Sequence, residues 1–343
     1  MAPAPFSPDP ARVLSFLKQW PIYRPTPLHV FETASTTLFI KDETERMGLG
    51  AFKALGGPFA VAELLRERWT TATGEPMPAD VGDSRLRTFA GSITFVCASA
   101  GNHGMAVAAG AKHVGARARV HLSATVSQTF ADRLSAQGAQ VVRSGNTYEE
   151  SVAAAGKDAR ETGGILLADA SWPGYHQAPA LVMEGYTVMA EELRLSFEEQ
   201  GSWPTDVFVQ AGVGGLAGAI AYMIRKNWSV QPRIVVVEPE AAPCLRESAR
   251  NGRPVIVDGP VSNMGRLDCK EPSLIAFDTL RRCEVEYQTV SDAEAVAGQH
   301  DLDLNYGIMT TPSGAAGFAA FRASAPPRAL VIATEGPVID RSA

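Results

Sequence analysis

Residues 40–57 have the sequence I-K-D-E-T-E-R-M-G-L-G-A-F-K-A-L-G-G, and the rest of the chain is organised around them. A short apolar strand ends at Ile40 and leads through a charged turn into a glycine-rich bend. Lys53 follows the bend, between Phe52 and Ala54, at the start of a predicted helix. We expect this lysine to lose hydration on packing, which disfavours the ammonium form and makes an amine available as a base or nucleophile. The alternative is a lysine that packs its stem on the core and keeps its ammonium in water.

Short β-branched runs alternate with longer amphipathic segments along the chain. The predicted strands are residues 37–40, 93–98, 119–122, 140–142, 165–167, 207–211, 234–238, 285–290 and 330–334. This alternation indicates an α/β fold, a mostly parallel sheet with helices on both faces. Residues 70–90, 259–272 and 305–313 are predicted to be irregular because glycine, proline and polar residues are frequent there.

Composition excludes several classes of protein. The 343 residues carry a net charge of −6, which gives no electrostatic reason to expect nucleic acid or an anionic membrane as a partner. The four cysteines are widely spaced, so we expect neither a disulfide framework nor a metal site. The N-terminus lacks the basic and apolar regions of a secretory signal. We therefore expect a soluble, cytoplasmic protein.

Residues 99–104, S-A-G-N-H-G, follow a predicted strand and precede a helix predicted at 105–114. In open α/β sheets, ligands bind at the carboxyl ends of strands, where helix N-termini present unpaired N–H groups. Ser99 and Asn102 are candidates for binding an anionic group, and Gly101 and Gly104 allow close approach. The alternative is that Ser99 or Asn102 only caps the helix.

A second glycine-rich turn, G-V-G-G-L at residues 212–216, follows the strand 207–211 and precedes a helix at 217–224. Consecutive amides at a helix start form a nest that suits a phosphate, and the spacing matches neither a Walker motif nor G-x-G-x-x-G. Thr334 ends the last strand, where its hydroxyl suits a neutral pyridine nitrogen; the alternative is a turn threonine. The two glycine-rich turns, at 99–104 and 212–216, together with a shielded lysine point to pyridoxal phosphate, whose aldehyde condenses with lysine.

The chain resembles the fold-type II pyridoxal phosphate enzymes, the family of serine and threonine dehydratases and tryptophan synthase β chains, and within it diaminopropionate ammonia-lyases. The motifs are Y-R-P-T-P-L (23–28), K-D-E-T-E-R-M-G-L-G-A-F-K-A-L-G-G (41–57), S-A-G-N-H-G (99–104), W-P-G-Y-H-Q-A-P-A-L-V-M-E-G-Y (172–186), V-Q-A-G-V-G-G-L-A-G (209–218), V-V-V-E-P (235–239), S-G-A-A-G (313–317) and A-T-E-G (333–336). The resemblance implies two lobes of mostly parallel sheet flanked by helices. We place a large cofactor-binding domain at 1–89 and 166–343 and a small domain at 90–165.

The resemblance also implies roles for individual residues. Lys53 carries the cofactor and shuttles the Cα proton, Asn102 bonds the phenolic oxygen of the cofactor, and Thr334 faces its pyridine nitrogen. The amides of the nest hold the phosphate; its members are Gly212, Val213, Gly214, Gly215 and Leu216. The substrate carboxylate is bound by the loop that contains Ser99, Ala100, Gly101 and His103.

Diaminopropionate ammonia-lyases carry two catalytic carboxylates, linked to D and L substrates, and this chain resembles them at only one. Ala100 stands where that family has an aspartate, whereas Asp169 matches the second acidic position. The resemblance therefore implies that the substrate has the L configuration at Cα. The substrate is then either diaminopropionate or another β-substituted L-amino acid. Asp169 is our candidate for protonating the leaving group. The alternative for Asp169 is a helix cap for residues from Ser171 onward.

These observations predict a β-elimination enzyme that converts a β-substituted L-amino acid into a 2-oxo acid and ammonia. Phenylserine, threonine, 3-hydroxyaspartate and 2,3-diaminopropionate are all compatible with the sequence. The alternatives are β-replacement by a second nucleophile, racemisation, or a non-catalytic binding protein that has kept the fold. A homodimer is implied by the resemblance alone.

Overall fold

The computed structural model describes residues 6–99 and 101–337, and these residues form two compact units. The first unit comprises residues 6–52, 170–176 and 186–337. The second unit comprises residues 53–99, 101–169 and 177–185. The domain boundaries drawn from the sequence, at 89/90 and 165/166, stay a prediction.

Ten strands and twelve α-helices lie within the described residues. The strands are β1 (Leu28–Glu32), β2 (Thr37–Asp42), β3 (Thr94–Ala98), β4 (Arg117–Leu122), β5 (Ala139–Arg143), β6 (Ile165–Leu166), β7 (Asp206–Gln210), β8 (Arg233–Pro239), β9 (Glu286–Val290) and β10 (Arg328–Ala333). The helices are α1 (Pro10–Lys18), α2 (Lys53–Thr73), α3 (Ser84–Ala90), α4 (Asn102–Val114), α5 (Gln128–Ala136), α6 (Tyr148–Thr162), α7 (Gln177–Gln200), α8 (Gly215–Asn227), α9 (Cys244–Asn251), α10 (Leu274–Leu280), α11 (Asp292–Tyr306) and α12 (Pro312–Ser324). Within residues 6–99 and 101–337, no helix is long and apolar enough to cross a membrane.

The first unit contains a six-stranded sheet in the order β1-β2-β10-β7-β8-β9. The five strands from β2 to β9 in this order pair in parallel, and only β1 is antiparallel, at the edge next to β2. Strands β7, β8 and β10 are almost wholly buried, which explains their continuous apolar sequence. Because they run in parallel, their carboxyl ends lie along one edge of the sheet.

The second unit contains a four-stranded parallel sheet in the order β5-β4-β3-β6. Helices α2 and α4 pack closely against each other in this unit: a Cβ built on Gly57 would lie 2.6 Å from Ala106 Cβ. A glycine at this position therefore sets the distance between the two helices that begin at Lys53 and Asn102.

The nine predicted strands are all present, with ends displaced by no more than about two residues, as is usual for element ends. Two predictions were wrong. The loop expected at 70–90 is shorter, because α2 continues to Thr73 and α3 occupies Ser84–Ala90, where Asp83 caps the helix by accepting from the amides of Arg85 and Leu86. Strand β1 was not predicted. It lies at the edge of the described sheet, where it pairs with β2, and none of its residues is fully buried, so it lacks the apolar run of a central strand.

A buried ionic network precedes the glycine-rich bend in the first unit. Arg46 is fully buried and donates to the carboxylates of both Glu43 (2.6 Å) and Glu192 (2.8 Å). Lys41 Nζ donates to Glu192 Oε2 at 2.7 Å, and Tyr23 donates to Glu192 Oε1 at 2.8 Å. Two cations thus face two carboxylates with their hydrogen bonds satisfied, and the network fixes the chain before it enters the bend.

We expect Glu192→Gln to destabilise the protein by about 3–5 kcal/mol, because it leaves two buried cations facing one carboxylate. Thermal melting of the variant measures this loss as a lower apparent melting temperature. Glu198→Gln on the same helix is the matched control, since Glu198 forms only a half-exposed ion pair with Arg194. Equal melting temperatures of the two variants would contradict a structural role for the network.

Candidate functional site

Lys53 is the first residue of α2, and the chain reaches it through a constrained segment. Gly50 adopts a left-handed backbone conformation (φ +78°), which a residue with a side chain rarely adopts. Ala51 then forms a bridge with Glu335, and the Phe52 amide donates to the carbonyl of Thr334 at 3.1 Å. Ala51 and Phe52, the two residues before Lys53, are therefore held within the first unit by these backbone contacts.

The ammonium of Lys53 pairs with Asp169 within the second unit. Lys53 Nζ donates to Asp169 Oδ2 at 2.5 Å, and each side chain is about one-fifth exposed. The two residues are 116 positions apart in sequence. The Lys53 ammonium and the Asp169 carboxylate are thus in direct contact, at a distance over which a proton can move.

Asp169 follows β6, at the carboxyl end of the second sheet. Burial alone would raise the pKa of Asp169, but the charges of Lys53 and His103 and the hydrogen bond from Lys53 lower it well below its usual range. Asp169 is therefore ionised at neutral pH. The alternative role as a helix cap is wrong, because residues 171–175 form a tight turn closed by a bridge between Trp172 and Tyr175.

The loop before α4 is held by its own side chains. Ser99 Oγ accepts from the amides of Gly101 (3.1 Å) and Gly104 (3.0 Å), so it supports the first turn of α4, although the N-cap residue of that helix is Gly101. Asn102 is the first residue of α4 and is half-buried. His103 is buried, its Nε2 hydrogen-bonds the carbonyl of Leu167 at 2.8 Å, and burial lowers its pKa. Ala100 lies outside the described residues.

The turn at 212–216 presents a row of amides at the N-terminus of α8. No side chain caps this helix, and within the described residues none of the five amides donates to a protein acceptor. Gly214 has φ +100°, a conformation that favours glycine. A Cβ on Gly212 would lie 2.9 Å from Cys269 Sγ. Open amides at a helix start with no room for a side chain fit a phosphate group.

Glu238, at the end of β8, supports this turn through α9. Its two carboxylate oxygens accept from the amides of Leu245 (2.7 Å) and Arg246 (2.8 Å). The Leu245 side chain in turn lies 3.0 Å from where a Cβ on Gly214 would be. Glu238 is fully buried, and burial raises its pKa from 4.5 to about 7, although the two amides oppose this shift.

The raised pKa of Glu238 predicts a pH-dependent stability. Between pH 4.5 and about 7 the folded protein keeps a proton that the unfolded chain has released. The free energy of unfolding therefore falls as pH rises through this window, by up to about 3 kcal/mol from this group. We expect wild type to lose more melting temperature than Glu238→Gln when the pH is raised from 5 to 8, because glutamine has no proton to release. The exposed Glu240→Gln is the control, and parallel curves for wild type and Glu238→Gln would refute the assignment.

Thr334 lies beyond the end of β10, beside the neighbouring strand β7. Its Oγ1 accepts from Gln210 Nε2 at 3.2 Å, and both side chains are buried. Because the hydroxyl oxygen already accepts a hydrogen bond, its own O–H remains available as a donor, and no acceptor for it is found within residues 6–99 and 101–337. A buried hydroxyl donor fits a neutral pyridine nitrogen.

Three residues near the candidate groups were not predicted from the sequence: Gln210, Glu238 and Arg266. The first two are polar residues in otherwise apolar strands, V-F-V-Q and V-V-V-E, and this contrast is a usable signal. Arg266 lies in the irregular stretch 259–272 and carries no such signal. Its guanidinium donates to the buried carboxylate of Glu335 at 2.7 Å, one residue after Thr334.

The second unit thus contains a lysine paired to a carboxylate, and the first unit contains a row of amides at a helix start and a buried hydroxyl donor. The family model for pyridoxal-phosphate dependent enzymes matches residues 20–335. The chain therefore belongs to the pyridoxal-phosphate-dependent enzymes, and its cofactor is pyridoxal phosphate. This confirms the predicted fold class, cofactor and family resemblance.

Ammonia-lyases are among the proteins most similar to this chain. Diaminopropionate ammonia-lyase of Escherichia coli (strain K12) is 32% identical over 86% of this chain and 76% of its own length. The enzyme of the same name from Salmonella typhimurium (strain LT2) is 34% identical over 83% of this chain and 73% of its own length. The crystal structure of the Escherichia coli enzyme in complex with D-serine has a TM-score of 0.81 and 27% identity, covering 98% of this chain and 91% of that one.

Proposed function

We propose that this chain catalyses β-elimination from a β-substituted L-amino acid and releases a 2-oxo acid and ammonia. The observation that carries the proposal is the contact between Lys53 Nζ and Asp169 Oδ2, which joins a base to a proton carrier. The similarity to diaminopropionate ammonia-lyases supports the same reaction type. Candidate substrates are phenylserine, threonine, 3-hydroxyaspartate and 2,3-diaminopropionate.

Bound pyridoxal phosphate supplies an aldehyde that condenses with amines and a ring that withdraws electrons from Cα. Lys53 would hold the cofactor through its side-chain amine, and the same amine, when free, would remove the Cα proton of the substrate. Asp169, ionised in the resting pair, takes a proton from Lys53 over the 2.5 Å contact and delivers it to the leaving group. A β-hydroxyl then leaves as water. The released unsaturated amino acid takes up water and yields the 2-oxo acid and ammonia.

The remaining assignments concern binding. Asn102 bonds the phenolic oxygen of the cofactor, the amides of 212–216 hold its phosphate, and Thr334 donates to its pyridine nitrogen. The open amides and the hydroxyl oriented by Gln210 support the last two assignments. We assign the substrate carboxylate to the loop of Ser99, Gly101 and His103 at the start of α4, where the positive end of the helix dipole favours an anion.

We assign the L configuration to the substrate from the acidic residues that the sequence has and lacks. Asp169 is present in contact with Lys53, whereas position 100 carries an alanine in place of a second carboxylate. One proton carrier at this position supports one enantiomer. We also propose that the protein is a cytoplasmic homodimer, which the resemblance alone supports; size-exclusion chromatography with light scattering measures the number of subunits.

The direct test is an assay of purified protein with a panel of L- and D-amino acids that carry hydroxyl or amino groups at Cβ. We expect one 2-oxo acid for each substrate consumed from at least one L substrate, with one ammonia if it carries a β-hydroxyl and two if it carries a β-amino group, and far less of both products from its D enantiomer. A protein that consumes the substrate only when a thiol or amine nucleophile is added would instead be a β-replacement enzyme. Interconversion of enantiomers without ammonia would show a racemase.

A further inference from the structure

We infer that Arg266 binds a second acidic group of the substrate, so that the preferred substrate is a β-hydroxy amino acid with a carboxylate on Cβ, such as 3-hydroxyaspartate. This inference rests on the proposed β-elimination and names its substrate class.

Arg266 lies at the same edge of the first unit as the proposed cofactor contacts. Its carbonyl oxygen is 3.2 Å from where a Cβ on Gly212, the first residue of the nest, would be. Its amide donates to Ser313 Oγ at 3.2 Å, at the start of α12. Its Nη1 donates to Glu335, the residue after Thr334. The Arg266 backbone therefore lies beside Gly212, and its guanidinium reaches Glu335, the neighbour of Thr334.

The guanidinium has donors to spare. A guanidinium carries five N–H groups, and Arg266 uses one of them, on Glu335 Oε1 at 2.7 Å, within the described residues. Lys270, the other cation of the stretch 259–272, differs in this respect. Its three donors reach the carbonyls of Ala241 and Pro260 and the carboxylate of Asp268. Arg266 is thus the cation of this stretch that is able to bind a further anion.

The ion pair of Arg266 is oriented. The Glu335 side chain is 3% exposed, whereas that of Arg266 is 25% exposed, so the negative partner lies on the buried side and the guanidinium on the accessible side. Thr311 Oγ1 also donates to Glu335 Oε1, at 2.6 Å, which further fixes the carboxylate. A guanidinium held in one position presents its open N–H edge to a planar carboxylate without a large loss of side-chain entropy.

A second carboxylate is the substrate group that matches this edge. The α-carboxylate is assigned to the loop at the start of α4 and the cofactor phosphate to the nest, so neither needs Arg266. Threonine and phenylserine carry a methyl or a phenyl group at Cβ and give the guanidinium nothing to bind. A carboxylate in the same place forms charge-assisted hydrogen bonds with it.

The test compares kcat/KM for L-3-hydroxyaspartate and L-threonine, which differ by a carboxylate in place of a methyl group. We expect wild-type holoenzyme to favour hydroxyaspartate by roughly 100-fold, and Arg266→Met to reduce that ratio at least tenfold, mainly through KM. Arg266→Lys should restore part of the ratio. Arg233→Met is the control. Arg233 is a partly exposed arginine that is ion-paired with Asp206, and it is the first residue of β8, away from the carboxyl ends of the strands.

Two other results would overturn the inference, and a third would move its test from kinetics to binding. In the first, both substrates are eliminated and Arg266→Met leaves their ratio unchanged, so that elimination stands without this contact. In the second, the variant loses affinity for pyridoxal phosphate with no change in the ratio, which would assign Arg266 to the cofactor. In the third, neither substrate is eliminated, so that the proposed function fails; Arg266 is then tested by titrating the visible absorbance with L-aspartate and L-alanine. Equal effects of Arg266→Met on both titrations would refute it.

Discussion

Replacing Lys53 with alanine is expected to lower the rate of 2-oxo acid formation at least about 1,000-fold, because the variant lacks the amine that we propose carries the cofactor and removes the Cα proton. The same variant is expected to lose the visible absorbance of the lysine-bound cofactor. The expected loss is large because the two roles fall on one atom, Lys53 Nζ, which the structure places against Asp169. Ammonia release, 2-oxo acid release and the absorption spectrum of the purified protein measure it.

Lys112→Ala is the matched control for this experiment. Lys112 is an exposed lysine near the end of α4 in the same unit, and the account gives it no role. We expect this variant to keep the wild-type colour and rate. A Lys53→Ala protein that remains yellow and active would show that another amine carries the cofactor.

Asp169→Asn is expected to lower kcat about 100- to 1,000-fold while the protein keeps its bound cofactor. Asparagine still hydrogen-bonds Lys53 but is unable to take up and deliver a proton. A retained colour with a lost rate therefore separates the proton carrier from the cofactor-binding lysine. Steady-state kinetics and the spectrum of the same preparation give both quantities.

Asp132→Asn provides the comparison for Asp169→Asn. Asp132 is an exposed carboxylate on α5 of the second unit, hydrogen-bonded to Gln128. Its loss is expected to leave kcat within about twofold of wild type, as for most surface substitutions. If Asp169→Asn behaves in the same way, the proton reaches the leaving group by another route.

The parallel core of the fold was predictable because burial on both faces leaves a direct mark on sequence. The runs V-F-V-Q and I-V-V-V-E predicted β7 and β8, and the observed ends differ by one residue. Helix α3 was not predictable in this way. It is seven residues long and depends on the Asp83 cap and on tertiary contacts such as the Trp69–Phe89 ring pair, which no local pattern encodes.

The candidate site residues also differ in whether local sequence reveals them. The glycine turns and Lys53 stand out locally, because glycine and lysine in those places have few structural uses. The pairing of Lys53 with Asp169 joins positions 116 residues apart and needs the folded second unit to be seen. The oriented ion pair of Arg266 and Glu335 depends in the same way on the folded first unit.

The most direct test of the account is the stoichiometry of products from one L-β-hydroxy amino acid, with wild type and Lys53→Ala measured side by side. The account predicts one ammonia and one 2-oxo acid for each substrate consumed by the yellow wild-type protein, and neither product nor colour in the variant. Substrate consumed without ammonia, or ammonia released equally by both proteins, would contradict β-elimination at Lys53.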